Sequence, residues 1–294
     1  MRKWFLLISV VALWGSSFAL LKLAVESISP VWVMALRLAV AGATLLTVLF
    51  SIGARFSYDV RSWLSFLAIA VVGNVIPFLL ISWGIKHIPS GLSGILMAVM
   101  PLGVAVLAHF FLPEEPLNFA RLSGFLLGFL GVVILLAPSS GIFNAQPRGP
   151  HVWGELAVIA GAVCYSIQSI ITRRIKTKGA LETATAALVI AGVIGLLLAF
   201  SVDPSGMKTP AADSLVALLI LGLFNTALAT VLYFLLIKSS GAGFASMINY
   251  LIPLLAVLMG WIFLDERLPS SAFAGLAFIL LGIALVQSAG RVKH

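Results

Sequence analysis

The groups in this sequence able to perform acid–base or metal chemistry are ten carboxylates, four histidines and one cysteine. Glu26, Asp59, Glu114, Glu115, Glu155, Glu182, Asp203, Asp213, Asp265 and Glu266 all fall between long apolar runs or within about one helical turn of their ends. His87, His109, His151 and His294 share no spacing that would let two of them hold a metal. Cys164 stands alone in an apolar run, so neither a disulfide nor a cysteine metal cluster is available. His-Glu-x-x-His, Gly-x-Ser-x-Gly and Gly-rich phosphate loops are absent. Gly241-Ala242-Gly243 lacks the strand that a nucleotide site requires, and reads as a short hinge. The chain is therefore not expected to be an enzyme, and no cofactor is implied.

Binding chemistry remains, and it lies inside the apolar runs. Trp14 and Ser17 are spaced i, i+3 and share a helix face, as do Tyr165 and Gln168. Asn74 and Phe78 share a second face, as do Asn225 and Ala229. Pro101 and Pro253 lack the N–H that would pair with the carbonyls of Met97 and Asn249, leaving two acceptors free, and Tyr250 adds an aromatic with a polar tip beside the second. Two readings of these amides and hydroxyls stand side by side: interhelical glue, at about 0.6 kcal/mol per bond, or contacts to a substrate held near mid-membrane. Arg37, about 10 Å below Pro30 along a helix, likewise has two. It snorkels outward along its stem, or it faces inward in a structural or carboxylate-binding role.

The elements that position these residues follow from composition. Of 294 residues 61% are hydrophobic and 10% charged, against roughly 25% charged in a soluble domain, so a water-soluble fold is excluded. A helical crossing needs about 20 apolar residues, and ten such runs fit: 4–24, 31–50, 63–84, 92–112, 119–137, 152–172, 180–200, 214–237, 243–264 and 271–289. Met1-Arg2-Lys3 imitates a signal peptide, but the run behind it is longer than the usual h-region. Despite a pI near 10.0, no nucleic-acid partner is expected, because the cations sit in the connecting loops and orient the chain. With the N-terminus inside, Arg2, Lys3, Arg55, Arg61, Arg121, Arg173, Arg174, Lys176, Lys178, Lys238, Arg291 and Lys293 are cytoplasmic, against Lys22, Lys86, Arg148, Lys208 and Arg267 outside. Both termini are expected in the cytoplasm of a cell whose inner (plasma) membrane holds the protein.

The chain also repeats itself at an offset of 151. Trp14 aligns with Tyr165, Ser17 with Gln168, Lys22 with Arg173, Asn74 with Asn225, and Glu114-Glu115-Pro116-Leu117 with Asp265-Glu266-Arg267-Leu268. Residues 1–137 and 152–294 are then two five-span units joined by an external linker, 138–151. An odd number of spans turns the second copy upside down, as in inverted-repeat transporters. Gly124, Gly128, Gly131, Gly275 and Gly282 read as positions of close helix packing.

Leu13-Trp14-Gly15-Ser16-Ser17-Phe18, Pro30 with Leu36-Arg37, the mid-helix Pro101 and Pro253, the acidic turns after spans 4 and 9 and the glycine-spaced spans 5 and 10 together resemble the EamA-type branch of the drug/metabolite transporter superfamily. The likeness covers the whole chain, and within the superfamily is greatest to exporters of aromatic amino acids. It implies an all-α membrane protein whose cavity is lined by spans 1, 3, 4, 6, 8 and 9, with Trp14, Ser17, Asn74, Phe78, Met97, Tyr165, Gln168, Asn225, Asn249 and Tyr250 facing substrate and Pro101 and Pro253 as hinges. The related small multidrug exporters carry an acid in their first span; here that span offers Ser9, Ser16 and Ser17 instead. Export of a neutral or zwitterionic metabolite with an apolar body, such as a bulky amino acid, is the expectation. A purine, vitamin or drug-like cargo is the alternative within the class, and a lipid scramblase or lipid-modifying enzyme the alternative outside it. The expected partners are a small-molecule substrate and the bilayer, with the chain a monomer or weak dimer.

Overall fold

The computed structural model describes residues 1–53, 59–112, 118–137, 149–174, 179–205 and 209–291, with side chains to 288. Glu114, Glu115, Arg148, Lys176, Lys178, Lys208, His294 and the first acidic turn lie outside these residues. Among the described residues there is no β-strand. With no water in the bilayer core to satisfy backbone groups, helices are what such a sequence can form there.

Spans 1, 2 and 3 are Arg2–Ser27, Pro30–Ser51 and Val60–His87; spans 4 and 5 are Ser90–Phe111 and Phe119–Leu136. Spans 6 and 7 are Pro150–Arg174 and Ala180–Val202, span 8 lies in Ala212–Ala245, and spans 9 and 10 are Ile248–Leu264 and Ser270–Arg291. Local chemistry marks the boundaries. Pro30 opens span 2 from the extended Ser29, where its missing N–H is no loss. Asp59 accepts from Ser62 N at 3.0 Å and Oγ at 2.6 Å, and these two bonds hold its carboxyl below the usual range. Asn118 caps span 5 from Arg121 N at 2.8 Å. Helical geometry runs on from span 8 to Ala245, but Gly241 (φ 78°) turns the chain inside that stretch, at the hinge the sequence marks.

Two irregularities are invisible in the hydropathy pattern. Spans 3 and 8 each contain a π-helical segment, Val71–Val75 and Leu221–Leu228, and these carry Asn74 and Asn225 at matched positions. The wider turn leaves side chains to reach carbonyls five residues back: Asn74 Nδ2 donates to Ile69 O at 3.1 Å, and Thr226 Oγ1 to Leu221 O at 2.8 Å. Span 4 is broken into Ser90–Met97 and Met100–Phe111, just before Pro101. Span 9 differs, since Pro253 lies within the continuous helix Ile248–Leu264 and the break comes earlier, at Ser246–Met247.

The spans pack chiefly across the two halves of the chain. Spans 2 and 7 pair, as do 5 and 10, 3 and 6, 1 and 8, 1 and 9, 4 and 6, and 4 and 9. Each pairing maps onto another, or onto itself, when span n is exchanged with span n+5. Registers run antiparallel. Gly42 lies against Leu188, Ala39 against Gly192 and Ala35 against Gly195. Along spans 5 and 10, a Cβ on Gly124 would stand 2.6 Å from the Gly282 carbonyl oxygen, and one on Gly131 2.7 Å from that of Gly275. Only glycine permits this approach, so these residues are the packing seam expected of them.

Candidate functional site

Four spans converge around Phe78 in the membrane interior. Its ring meets Tyr165 of span 6 edge-on, centroids 6.3 Å apart. The Arg37 guanidinium of span 2 lies 4.6 Å from the Phe78 ring centre, and Arg37 Nε donates to Thr226 Oγ1 of span 8 at 2.9 Å. Arg37 is only 8% exposed and is ringed by spans 3, 6 and 8, so it faces inward and does not snorkel. A cation at this depth costs about 2.5–3.5 kcal/mol on insertion scales. The hydroxyl and the aromatic face explain its retention.

The other expected residues divide into two groups. Gln168 packs on Gly73 of the first π-segment, beside Asn74, which puts the two amides in one neighbourhood between spans 3 and 6. Met97 ends the first half of span 4, half-buried against the same apolar cluster as Tyr165. Ser166, next to Tyr165, hydrogen-bonds the Met100 carbonyl at 2.9 Å and ties span 6 to the break before Pro101. Trp14 meets Tyr233 of span 8 at 5.0 Å. Ser17 Oγ donates to Trp14 O at 2.7 Å within its own helix.

Asn225 and the span 9 residues lie elsewhere. The Asn225 Nδ2 donates to Leu13 O and, at 3.2 Å, to Ser16 Oγ, fastening span 8 to span 1; the side chain is 1% exposed and its Oδ1 has no partner. Tyr250 OH bonds Gln287 Oε1 of span 10 at 3.0 Å, and Asn249 is half-buried one residue before it. Sequence symmetry missed Tyr233 and Thr226 because their copies are Ser82 and Val75. Polarity inside an apolar run was the available signal for both.

The two ends of the bundle differ. At the end bearing Lys22, the Glu266 carboxylate receives Ser90 N at 2.6 Å, Ser90 Oγ at 3.0 Å and Gly91 N at 3.0 Å, capping span 4 from the loop before span 10. Lys22 Nζ donates to Ile85 O at 2.8 Å and Ile88 O at 2.9 Å, capping span 3. Ile88, Ser90 and Gly91 are buried beneath this pair, whereas Ser239, Gly241 and Ala242, at the matching places of spans 8 and 9, are exposed. Glu155, near the Lys22 end of span 6, is 3% exposed and sits deeper than the predicted span edge, because the helix starts at Pro150.

Residues 2–137 and again 152–288 match the EamA-like transporter family. The chain belongs to that family. It is a multi-pass membrane transporter and not an enzyme. Over 97% of its length it is 26% identical to an uncharacterized transporter of Archaeoglobus fulgidus, covering 99% of that protein. It is 24% identical to the uncharacterized inner membrane transporter YedA of Escherichia coli K12 (95% of this chain, 89% of the relative). It is 25% identical to the S-adenosylmethionine/S-adenosylhomocysteine transporter of Chlamydia trachomatis serovar L2 (93% and 85%). A solved crystal structure with 21% identity superimposes at a TM-score of 0.68 over 98% of both chains, a likeness of fold.

Proposed function

We propose that this EamA-family protein exports small neutral or zwitterionic metabolites with an apolar body, bulky and aromatic amino acids first among them, by alternating access of two inverted five-span repeats. The observation that carries the reading is the convergence of Phe78, Tyr165, Gln168 and Asn74 from both halves around a mid-depth site that holds aromatic faces and neutral amides. Antiparallel pairing of span 2 with 7 and of 5 with 10 supports inversion, since copies related by an axis along the membrane normal would run parallel. Charge bias puts the Lys22 end outside. The structure is then closed outward, with Glu266 and Lys22 as the closure. Because no carboxylate is expected at the depth of Phe78, flux runs down the substrate gradient by facilitated diffusion or exchange.

A second cargo class is supported by the relative named as an S-adenosylmethionine/S-adenosylhomocysteine transporter. S-adenosylhomocysteine, a zwitterionic amino-acid head joined to a purine nucleoside, falls within the same description, and S-adenosylmethionine differs from it by one sulfonium cation.

Uptake of labelled tryptophan, phenylalanine, leucine, adenine and S-adenosylmethionine into proteoliposomes tests the proposal. Saturable flux of at least one, insensitive to a protonophore, is expected. No flux of any of them overturns the substrate class, and accumulation driven by an imposed pH gradient overturns the coupling.

A further inference from the structure

Arg37 has one hydrogen-bond acceptor among the described residues, Thr226 Oγ1, and it is taken by Nε. A guanidinium carries five N–H donors, so the four on its two Nη atoms have none. No described carboxylate pairs with it. Among the described residues the fully enclosed polar side-chain atoms left without a partner are Ser29 Oγ and Asn225 Oδ1, so the Nη atoms are not fully enclosed. The fork is thus left without an acceptor among the described residues while its stem is fixed from two sides, by Thr226 and by the Phe78 ring against its face. An unpaired guanidinium fork is the arrangement that takes a planar carboxylate through two parallel N–H···O bonds.

Repeat symmetry sharpens this. The counterpart of Arg37 is Leu188, and that of Thr226 is Val75. Asn74, Tyr165 and Gln168 have polar or aromatic counterparts in Asn225, Trp14 and Ser17, whereas the cation, the hydroxyl that fixes it and the Phe78 ring, whose counterpart is Ala229, occur once. A site between two related halves with one cationic pole suits a cargo with one anionic end.

We infer that Arg37, held by Thr226 and Phe78, is a carboxylate-binding subsite that orients substrates bearing one carboxylate. This deepens the function proposed above, and rests on it for the statement that the ligand is cargo. Phenylacetate and phenylacetamide share a body and differ in charge, so they serve as probes. Their binding to the full-length chain in lipid nanodiscs is measured by calorimetry at pH 7.5. In the unaltered protein the acid is expected to bind about tenfold or more tightly than the amide, the usual worth of hydrogen bonds to a charged group. Arg37→Gln removes the preference, Arg37→Lys retains part of it because charge survives without the fork, and Thr226→Val weakens it by freeing the stem. If Arg37→Gln does not fold, the Lys and Val variants decide the assignment.

Equal binding of acid and amide by the unaltered protein overturns the subsite, as does failure of both to bind or a preference unchanged in all the variants that fold. The proteoliposome panel, extended by labelled phenylalaninamide, separates the two proposals. Acid-selective binding with no flux of any metabolite defeats the transport reading and leaves the anion site. Equal flux of phenylalanine and phenylalaninamide defeats the anion site and leaves the transport reading.

Discussion

Asn74 and Asn225 occupy matched π-segments and do different things. Asn225 holds span 1 to span 8 through Leu13 O and Ser16 Oγ, while Asn74 turns its Nδ2 back on its own helix at Ile69. Asn74→Leu, Gln168→Leu and Trp14→Ala are therefore expected to lower transport roughly threefold to tenfold, the loss of one hydrogen bond or contact of about 0.5–1.5 kcal/mol, with melting temperature nearly unchanged. Asn225→Leu should do the reverse, lowering the melting temperature before it touches substrate affinity. Uptake and thermal unfolding on the same four variants check this; destabilisation by Asn74→Leu equal to that by Asn225→Leu would make both amides packing groups. Residue type and depth picked out these positions in the sequence. Which way each amide points did not follow, because that depends on π-segments that no residue pattern announces. Arg37 shows the same limit: its depth was legible, and its inward direction came from Thr226 and Phe78, which lie 189 and 41 positions away.

The ten spans were legible because hydropathy is a one-dimensional property that the bilayer reads as such, and Pro30 and the Gly241 hinge fell where the sequence put them. The proline pair was less so. Their matched places in the repeat predict equivalent hinges, yet span 4 breaks beside Pro101 while span 9 carries Pro253 within a continuous helix and breaks earlier, at Ser246–Met247. A proline only removes one bond and crowds one carbonyl; neighbouring helices decide where the strain is released. The caps on spans 3 and 4 also depended on tertiary contact, since Glu266 reaches Ser90 from 176 residues away. A capping side chain is worth about 0.5–2 kcal/mol, comparable with the roughly 1.4 kcal/mol that shifts a two-state ratio tenfold. Glu266→Gln keeps the size and loses the charge, so it should open the Lys22 end by about threefold to tenfold in population without unfolding the bundle. Distances between spin labels flanking that mouth measure the shift. No change, with Lys22 and Ser90 intact, would leave Glu266 as a static cap.

Taken as one molecule, the bundle is symmetric in its pairings and asymmetric in its ends. Ile88 is 1% exposed and its counterpart Ser239 is open; Ser90 and Gly91 are buried where Gly241 and Ala242 are bare. If the halves are inverted copies, this asymmetry marks one of two states, and the other is obtained by exchanging the conformations of the halves. Positions 88 and 239 must then change places in accessibility. Single cysteines at these positions, with Cys164 replaced by serine, are expected to react in opposition: Ser239→Cys fast and Ile88→Cys slow in the state described, with the order moving toward the reverse when Glu266→Gln is added. Lys86→Cys and Lys238→Cys, both exposed, fix the sidedness, because an impermeant thiol reagent applied to intact cells should reach 86 and not 238. Labelling of 238 from outside would invert the charge-based orientation while leaving the exchange intact. Simultaneous fast labelling of 88 and 239 would instead describe an open pore, and rates at both positions that ignore Glu266→Gln would make the difference between the two ends a fixed property of the fold with no exchange behind it.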